Sequence, residues 1–134
     1  MMKKIIAFTL TLLLLFTMCS CGKYTSSYTA AGLIQNQTSH SCEARFSSLE
    51  GQLVFKIQKS GNGGEGNICY RMQVEEGEIF LYYDIYDQKE ELAHAQAGES
   101  IEDVGGYVEG GKPVYIIIEA TGNAKGKIFV ELDH

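Results

Sequence analysis

Basic residues are scarce in this chain: 11 Lys and Arg stand against 17 Asp and Glu, for a formal net charge of −6. Nucleic-acid binding needs a basic face that neutralises phosphates and releases counterions, and this composition has the opposite bias. The longest apolar run, Ile5 to Met18, has 14 residues relaxed only by Ala and Thr. A membrane-spanning helix needs about 20, because the hydrocarbon layer is about 30 Å thick. Tryptophan is absent, which weakens any reading built on rings that stack against sugars. His40, His94 and His134 stand near no other His or Cys at metal-ligand spacing. There is no Gly-x-Ser-x-Gly element, and the glycine-rich Gly61 to Gly66 is not followed by Lys-Ser or Lys-Thr. Each serine sits in loop-like sequence. These absences point away from catalysis and give no cofactor or metal site. A chain of 134 residues is one domain's worth, too short for two domains with a cleft between them.

What is present begins with an address. Met1-Met2-Lys3-Lys4 is a short positive start, and the apolar run that follows has the length and flanks of an export signal. Thr17-Met18-Cys19-Ser20-Cys21-Gly22 resembles the lipobox of bacterial lipoproteins. In that family a cysteine after a small residue receives a diacylglyceryl thioether and becomes the first residue of the mature chain. Cys21, preceded by the small Ser20, fits better than Cys19, preceded by the bulky Met18. Met18-Cys19 departs from the family pattern, where small or Leu-like residues are usual. The resemblance implies a signal over residues 1–20, lipid on Cys21 and a location on the membrane, facing outside the cytoplasm. Two acyl chains hold a protein stably on a bilayer, where one does so only marginally. Without Lys3 and Lys4 the chain has 9 basic and 17 acidic residues, a net charge of about −8. Eleven of the acids fall between Glu75 and Glu109, with Lys89 the one base among them. That stretch reads as a solvated, repulsive surface, with a cation-binding patch as the alternative.

Residues 21–41 are rich in Ser, Thr, Ala and Gly and read as a flexible linker, whose distal end from Tyr28 can join the domain as an edge strand. From Cys42 the pattern has period two. Leu53, Phe55 and Ile57 form one set, Ile68, Tyr70, Met72 and Val74 a second, and Ile79, Leu81, Tyr83 and Ile85 a third. Val114, Ile116, Ile118 and Ala120 follow, then Ile128, Val130 and Leu132. Such alternation marks strands with one buried face and implies antiparallel pairing. Turn signals separate them at 60–67, 75–77, 96–99, 110–113 and 122–126. Weaker strands near 45–48, 91–95 and 100–107 bring the count to about eight. Residues 87–97 also contain helix formers, but their flanks favour a strand. The expectation is all-β: a small antiparallel, jelly-roll-like β-sandwich over residues 42–134. Tyr83 to Leu132 resembles bacterial pre-peptidase C-terminal domains and related jelly rolls: an aromatic strand ending in Asp, a hairpin, the strand Gly-Lys-Pro-Val-Tyr-Ile, a glycine turn and a last strand. That resemblance implies a non-catalytic module and transfers no site residue.

Three groups remain as candidates. Cys42 and Cys69 are either a disulfide that pins the start of the domain or two partly buried thiols. Tyr82 and Tyr86 share a face in an extended strand, with Tyr107 and Tyr115 placed to join them. They serve either as cross-strand packing or as ligand-contact aromatics. Asp84, Asp87, Glu90 and Glu91 offer hard oxygens but no recognised calcium-loop spacing. The function expected is binding of a protein, a glycan or an envelope component. An accessory role in a membrane or export complex is the alternative, and hydrolase activity the more distant one.

Overall fold

The computed structural model describes residues 24–59 and 64–132, so the expected signal and Cys21 lie outside the described residues. Seven strands follow in order: β1 (Ser27–Ala31), β2 (Ile34–Gln37), β3 (Ser41–Gln58), β4 (Glu65–Asp84), β5 (Lys89–Gln96), β6 (Ser100–Glu109) and β7 (Pro113–Leu132). All pair antiparallel. The long strands form the centre in the order β3-β7-β4. β1 and β2 line one edge, each on a different half of β3, and β5 and β6 line the other edge on the two halves of β4.

Each long strand bends near its middle. The β3–β7 ladder slips between Phe46 and Leu49 and again before Gly51, and the β4–β7 ladder slips on both sides of Glu76. Gly51, Gly77, Gly122 and Asn123 sit there with φ of 116°, 76°, 72° and 50°. A bulge adds an unpaired residue and turns the strand, and a left-handed residue sharpens the turn. The sheet thereby folds onto itself as a sandwich. One layer holds β2, β6 and the first halves of β3 and β4; the other holds β1, β5 and their second halves. Across the layers the Tyr70 hydroxyl donates to the Leu92 carbonyl at 3.2 Å.

The turns expected at 75–77 and 122–126 are therefore bends inside continuous strands. Eight short strands become seven, three of them long. The segment with helix formers is the strand β5. The distal part of the linker expected over 21–41 does join the sheet edge, and more of it than an end: Ser27–Ala31 form β1, Ile34–Gln37 form β2, and Ser26 Oγ accepts the Val54 N–H at 2.9 Å.

The period-two sets all face inward. Leu53, Ile57, Ile68, Met72, Ile79, Leu81, Ile116, Ile118, Ile128 and Leu132 are at most 2% exposed. Fully burying such a side chain contributes about 1.5–3 kcal/mol. Ile117 is the exception in direction. It lies on the outer face between Val54 and Tyr82 yet is fully covered.

Cys42 and Cys69 are not bridged to each other. Cys42 pairs with Val130 and Cys69 with Glu131, so β7 runs between them. Two strand spacings put the Cα atoms about 9.5 Å apart, whereas a disulfide needs less than about 7 Å. Cys42 also faces the core, where burial pushes its thiol from 9.0 up to about 12. A pKa raised in the folded state leaves stability intact below pH 9 and removes it as pH rises from 9 towards 12. The buried or hydrogen-bonded tyrosines, also raised, act in the same direction. The urea midpoint is expected to hold from pH 6 to 9 and fall above it, and Cys42 is expected to resist alkylation until the protein unfolds. Rapid alkylation at pH 7.5 in the native state would contradict this burial.

Candidate functional site

Tyr82 and Tyr86 do not come together. β4 ends at Asp84, whose carboxylate is buried and closes the next turn by accepting the Gln88 N–H at 3.0 Å. Its other oxygen accepts the Tyr24 hydroxyl at 2.6 Å. Asp87 adopts φ of 59°, and the reversal carries Tyr86 off the strand to the end of the sandwich. A side-chain acceptor for a backbone N–H a few residues on is the usual device for fixing such a turn.

Tyr82 stays on the outer face of the sheet as a packing member. Lys89 Nζ lies 4.3 Å from its ring centroid and pairs with Glu119 at 2.7 Å. Beside it Phe80 stacks on His94, with centroids 4.0 Å apart and planes 7° from parallel, and His94 Nε2 meets Glu78 at 2.9 Å. Tyr115 packs against Tyr24 at 5.3 Å, under Lys56. These rings are covered on at least one face by a neighbour from the next strand, which is the cross-strand pairing expected of a sheet.

Tyr86 meets a different ring. Tyr107 lies on β6, where the register to β4 skips between Gly66 and Ile68. Gly106 provides the bulge with φ of 71°, and its carbonyl accepts the Asn67 side-chain amide at 2.8 Å. A Cβ at Gly106 would come within 3.2 Å of Ile68, Leu92 and Tyr83. The bulge turns Tyr107 outward beside Tyr86. The two rings have centroids 6.4 Å apart and planes 25° from parallel, and they are 49% and 38% exposed.

A cleft of about 210 Å³ opens next to this pair, lined by Tyr83, Ile85, Tyr86, Gln88, Glu90 and Tyr107. The Tyr86 hydroxyl donates to Glu109 at 2.5 Å, the Tyr107 hydroxyl to Glu65 at 3.4 Å and the Tyr83 hydroxyl to Glu90 at 2.7 Å. Lys112 Nζ sits 4.9 Å from the Tyr86 ring. The hydrogen bond to Glu109 pushes the Tyr86 hydroxyl well above its ordinary range. Burial, then the Glu90 hydrogen bond, raises Tyr83, and burial followed by the charge of Glu65 raises Tyr107. All three hydroxyls stay protonated. Apolar ring faces thus adjoin fixed carboxylate acceptors and the Gln88 amide.

Of the four acids weighed as calcium ligands, Asp84 and Glu90 are engaged by hydroxyl and backbone donors, and no group of three or more metal-ligating side chains gathers among the described residues. Asp84 acts as a positioning residue. Asp84→Ala is expected to cost about 2 kcal/mol, since one hydrogen bond to a charged group is worth about 1.5–3 kcal/mol. Urea unfolding measures it, and an unchanged midpoint would mean that the carboxylate does not hold the turn.

No family model matches the chain, and no curated protein matches it. Among solved structures it is similar to a family 29 carbohydrate-binding module complexed with mannohexaose, at 13% identity and a TM-score of 0.41. That alignment covers 81% of this chain and 91% of the other. It is also similar to the enzymatically active domain of tailspike protein 4 from bacteriophage CBA120, at 12% identity and a TM-score of 0.45, over 81% of this chain and 19% of the other.

Proposed function

We propose that this protein is a membrane-anchored lipoprotein whose β-sandwich binds a glycan without acting on it. The observation that carries the binding reading is the Tyr86–Tyr107 pair. Among the described residues these are two of five exposed large apolar side chains, and they alone of the five stack together, at the lip of a cleft edged by carboxylates. A pyranose presents apolar C–H faces and a rim of hydroxyls. Tyrosine rings accept the first while their polar tips stay wet, and carboxylates and amides accept or donate to the second. The cleft is small enough to favour one or two sugar units over a long chain.

The anchoring reading rests on the lipobox at Cys21. Tyr24, three residues on, is already held by Asp84 and Tyr115. An extended chain covers at most about 3.6 Å per residue, so this end of the sandwich stays within roughly 11 Å of the acylated residue. The cleft, on the turn that Asp84 closes, then works close to the membrane, and its ligand is an envelope glycan within that reach.

Metabolic labelling with palmitate tests the anchor: the chain is expected to take label and Cys21→Ser to lose it. Label retained by Cys21→Ser would refute the assignment. A glycan array probed with the full chain in detergent tests the binding. Signal on a defined glycan class is expected, and capture of one membrane protein with no glycan signal would favour an accessory role instead.

A further inference from the structure

The outer face of the other layer gathers cations that the acidic composition conceals. One row crosses five strands in register: Ile34 on β2, Arg45 on β3, Lys127 on β7, Gln73 on β4 and Ser100 on β6. In the next row Phe129 of β7 stands opposite Arg71 of β4, whose guanidinium lies 4.9 Å from the ring centroid. Arg45 and Lys127 are thus direct cross-strand neighbours of like charge, an arrangement that destabilises a sheet. Three cations elsewhere have carboxylate partners: Lys89 pairs with Glu119, Lys112 with Glu109 and Lys125 with Glu75, and Lys56 lies over the Tyr115 ring. Arg45, Arg71 and Lys127 have no ion-pair partner among the described residues. Two hollows meet on this face and share Gln73 and Lys127. One, of about 610 Å³, also takes in Arg45 and Ile34, and the other, of about 140 Å³, takes in Arg71 and Phe129.

We infer that this row is a second binding site, for a linear carboxylate-bearing polysaccharide lying across the strands. Charge complementarity gives the sign of the ligand: a domain of net negative charge repels acidic polymers over most of its surface, and Arg45, Lys127 and Arg71 together attract them here. Geometry gives its shape. Strands stand about 4.8 Å apart, so the five-strand row extends about 19 Å as an open track. A polymer with negative groups on successive units can place one at Arg45 and Lys127 and another towards Arg71. Guanidinium groups take carboxylates through two parallel hydrogen bonds, while Phe129 and Ile34 offer apolar surface to the backbone of the chain. Glu43 and Glu102 flank Phe129 and Arg71 in the second row and repel the polymer beyond them, so its backbone follows the first row and meets Arg71 only in the hollow the two rows share. The row lies beside the bend of the sheet. Gln73 is eight residues along β4 from Glu65, the end that holds the tyrosine cleft, or about 26 Å at the rise of a strand. If Cys21 carries the anchor, the row points away from the bilayer, which favours a polymer over lipid headgroups.

The test uses the full chain in non-ionic detergent and fluorescently labelled oligogalacturonate, with a neutral galactose oligomer of equal length beside it. The carboxylate oligomer is expected to bind, more weakly at higher salt, and the neutral one not to bind through this face. The double variant Arg45→Gln with Lys127→Gln is expected to weaken binding by tenfold or more, with an unfolding midpoint equal to or above that of the unaltered chain. Lys56→Gln, which removes an exposed cation from the outer face of the opposite layer, is expected to leave binding unchanged, so the loss belongs to this row and not to positive charge in general. Absence of binding, or binding that the double variant preserves, would overturn the proposal. So would NMR shifts at Arg45 and Lys127 on adding phosphatidylglycerol to the micelles with none on adding the oligomer, which would give the face to the membrane.

Discussion

Gly77→Ala is expected to destabilise the domain by about 3 kcal/mol or more, among the largest effects open to a single methyl group. Gly77 sits at the bend of β4 with φ of 76°, and an added Cβ would fall 2.6 Å from the Thr121 carbonyl oxygen and 2.7 Å from Ala124 Cα. The left-handed backbone alone costs a side chain about 1–2 kcal/mol. The close contacts are with β7 backbone, which cannot rotate aside, so the two folded-over strands must separate. Gly98 supplies the control. It has φ of 87° in the β5–β6 turn and open space around it. Gly98→Ala should show the backbone cost alone, about 1 kcal/mol. Equal losses for the two variants in urea unfolding would mean that the bend is not close-packed.

The second large effect falls on binding. Tyr86→Ala and Tyr107→Ala are each expected to weaken glycan affinity by about tenfold to thirtyfold, or roughly 1.4–2 kcal/mol, the scale of an exposed aromatic anchor. Their stability should change little, because both rings are exposed. The phenylalanine variants keep the stacking face and remove only the hydroxyl, so they should lose less. Tyr82→Ala is expected to behave in the opposite way. Its ring packs under Lys89 and beside the covered Ile117, so stability falls while affinity holds. Titration of each variant with the array-selected glycan reads the first effect and thermal unfolding the second. Affinity lost only in Tyr82→Ala would move the site to the flat face of the sheet.

Strand faces were legible from sequence because alternation is local: each set from Leu53 to Leu132 faces the core. β5 and β6 were also legible, since turn chemistry at Gly98 brackets them. The bends were not. Glu75-Glu76-Gly77 and Gly122-Asn123-Ala124-Lys125-Gly126 carry the same glycine signal whether a chain reverses or folds over. Pairing with β3, β4 and β7 on both sides of the bend decides between the two. The choice between a disulfide and two thiols was open in the sequence for the same reason, because only strand order puts β7 between Cys42 and Cys69. Period two placed Tyr86 with Tyr82, but Asp84 ends the strand through the Gln88 N–H. An acidic side chain before a polar turn was the available signal for that ending. Gly105-Gly106 ahead of Tyr107 was the available signal for a bulge that re-aims a side chain. The grouping of Arg45 and Lys127 in one row with Arg71 in the next had no local signal, since only register assembles it.

The central claim is that the tyrosine pair at the end of the sandwich, and not the flat aromatic face, meets the glycan. NMR of the full chain in detergent, titrated with the glycan selected on the array, tests this most directly. Saturable shifts at Tyr86, Tyr107, Gln88 and Glu90, with Phe80, Tyr82 and His94 unmoved, are the predicted result. Shifts centred on Phe80, Tyr82 and His94 with the Tyr86–Tyr107 pair silent would contradict it.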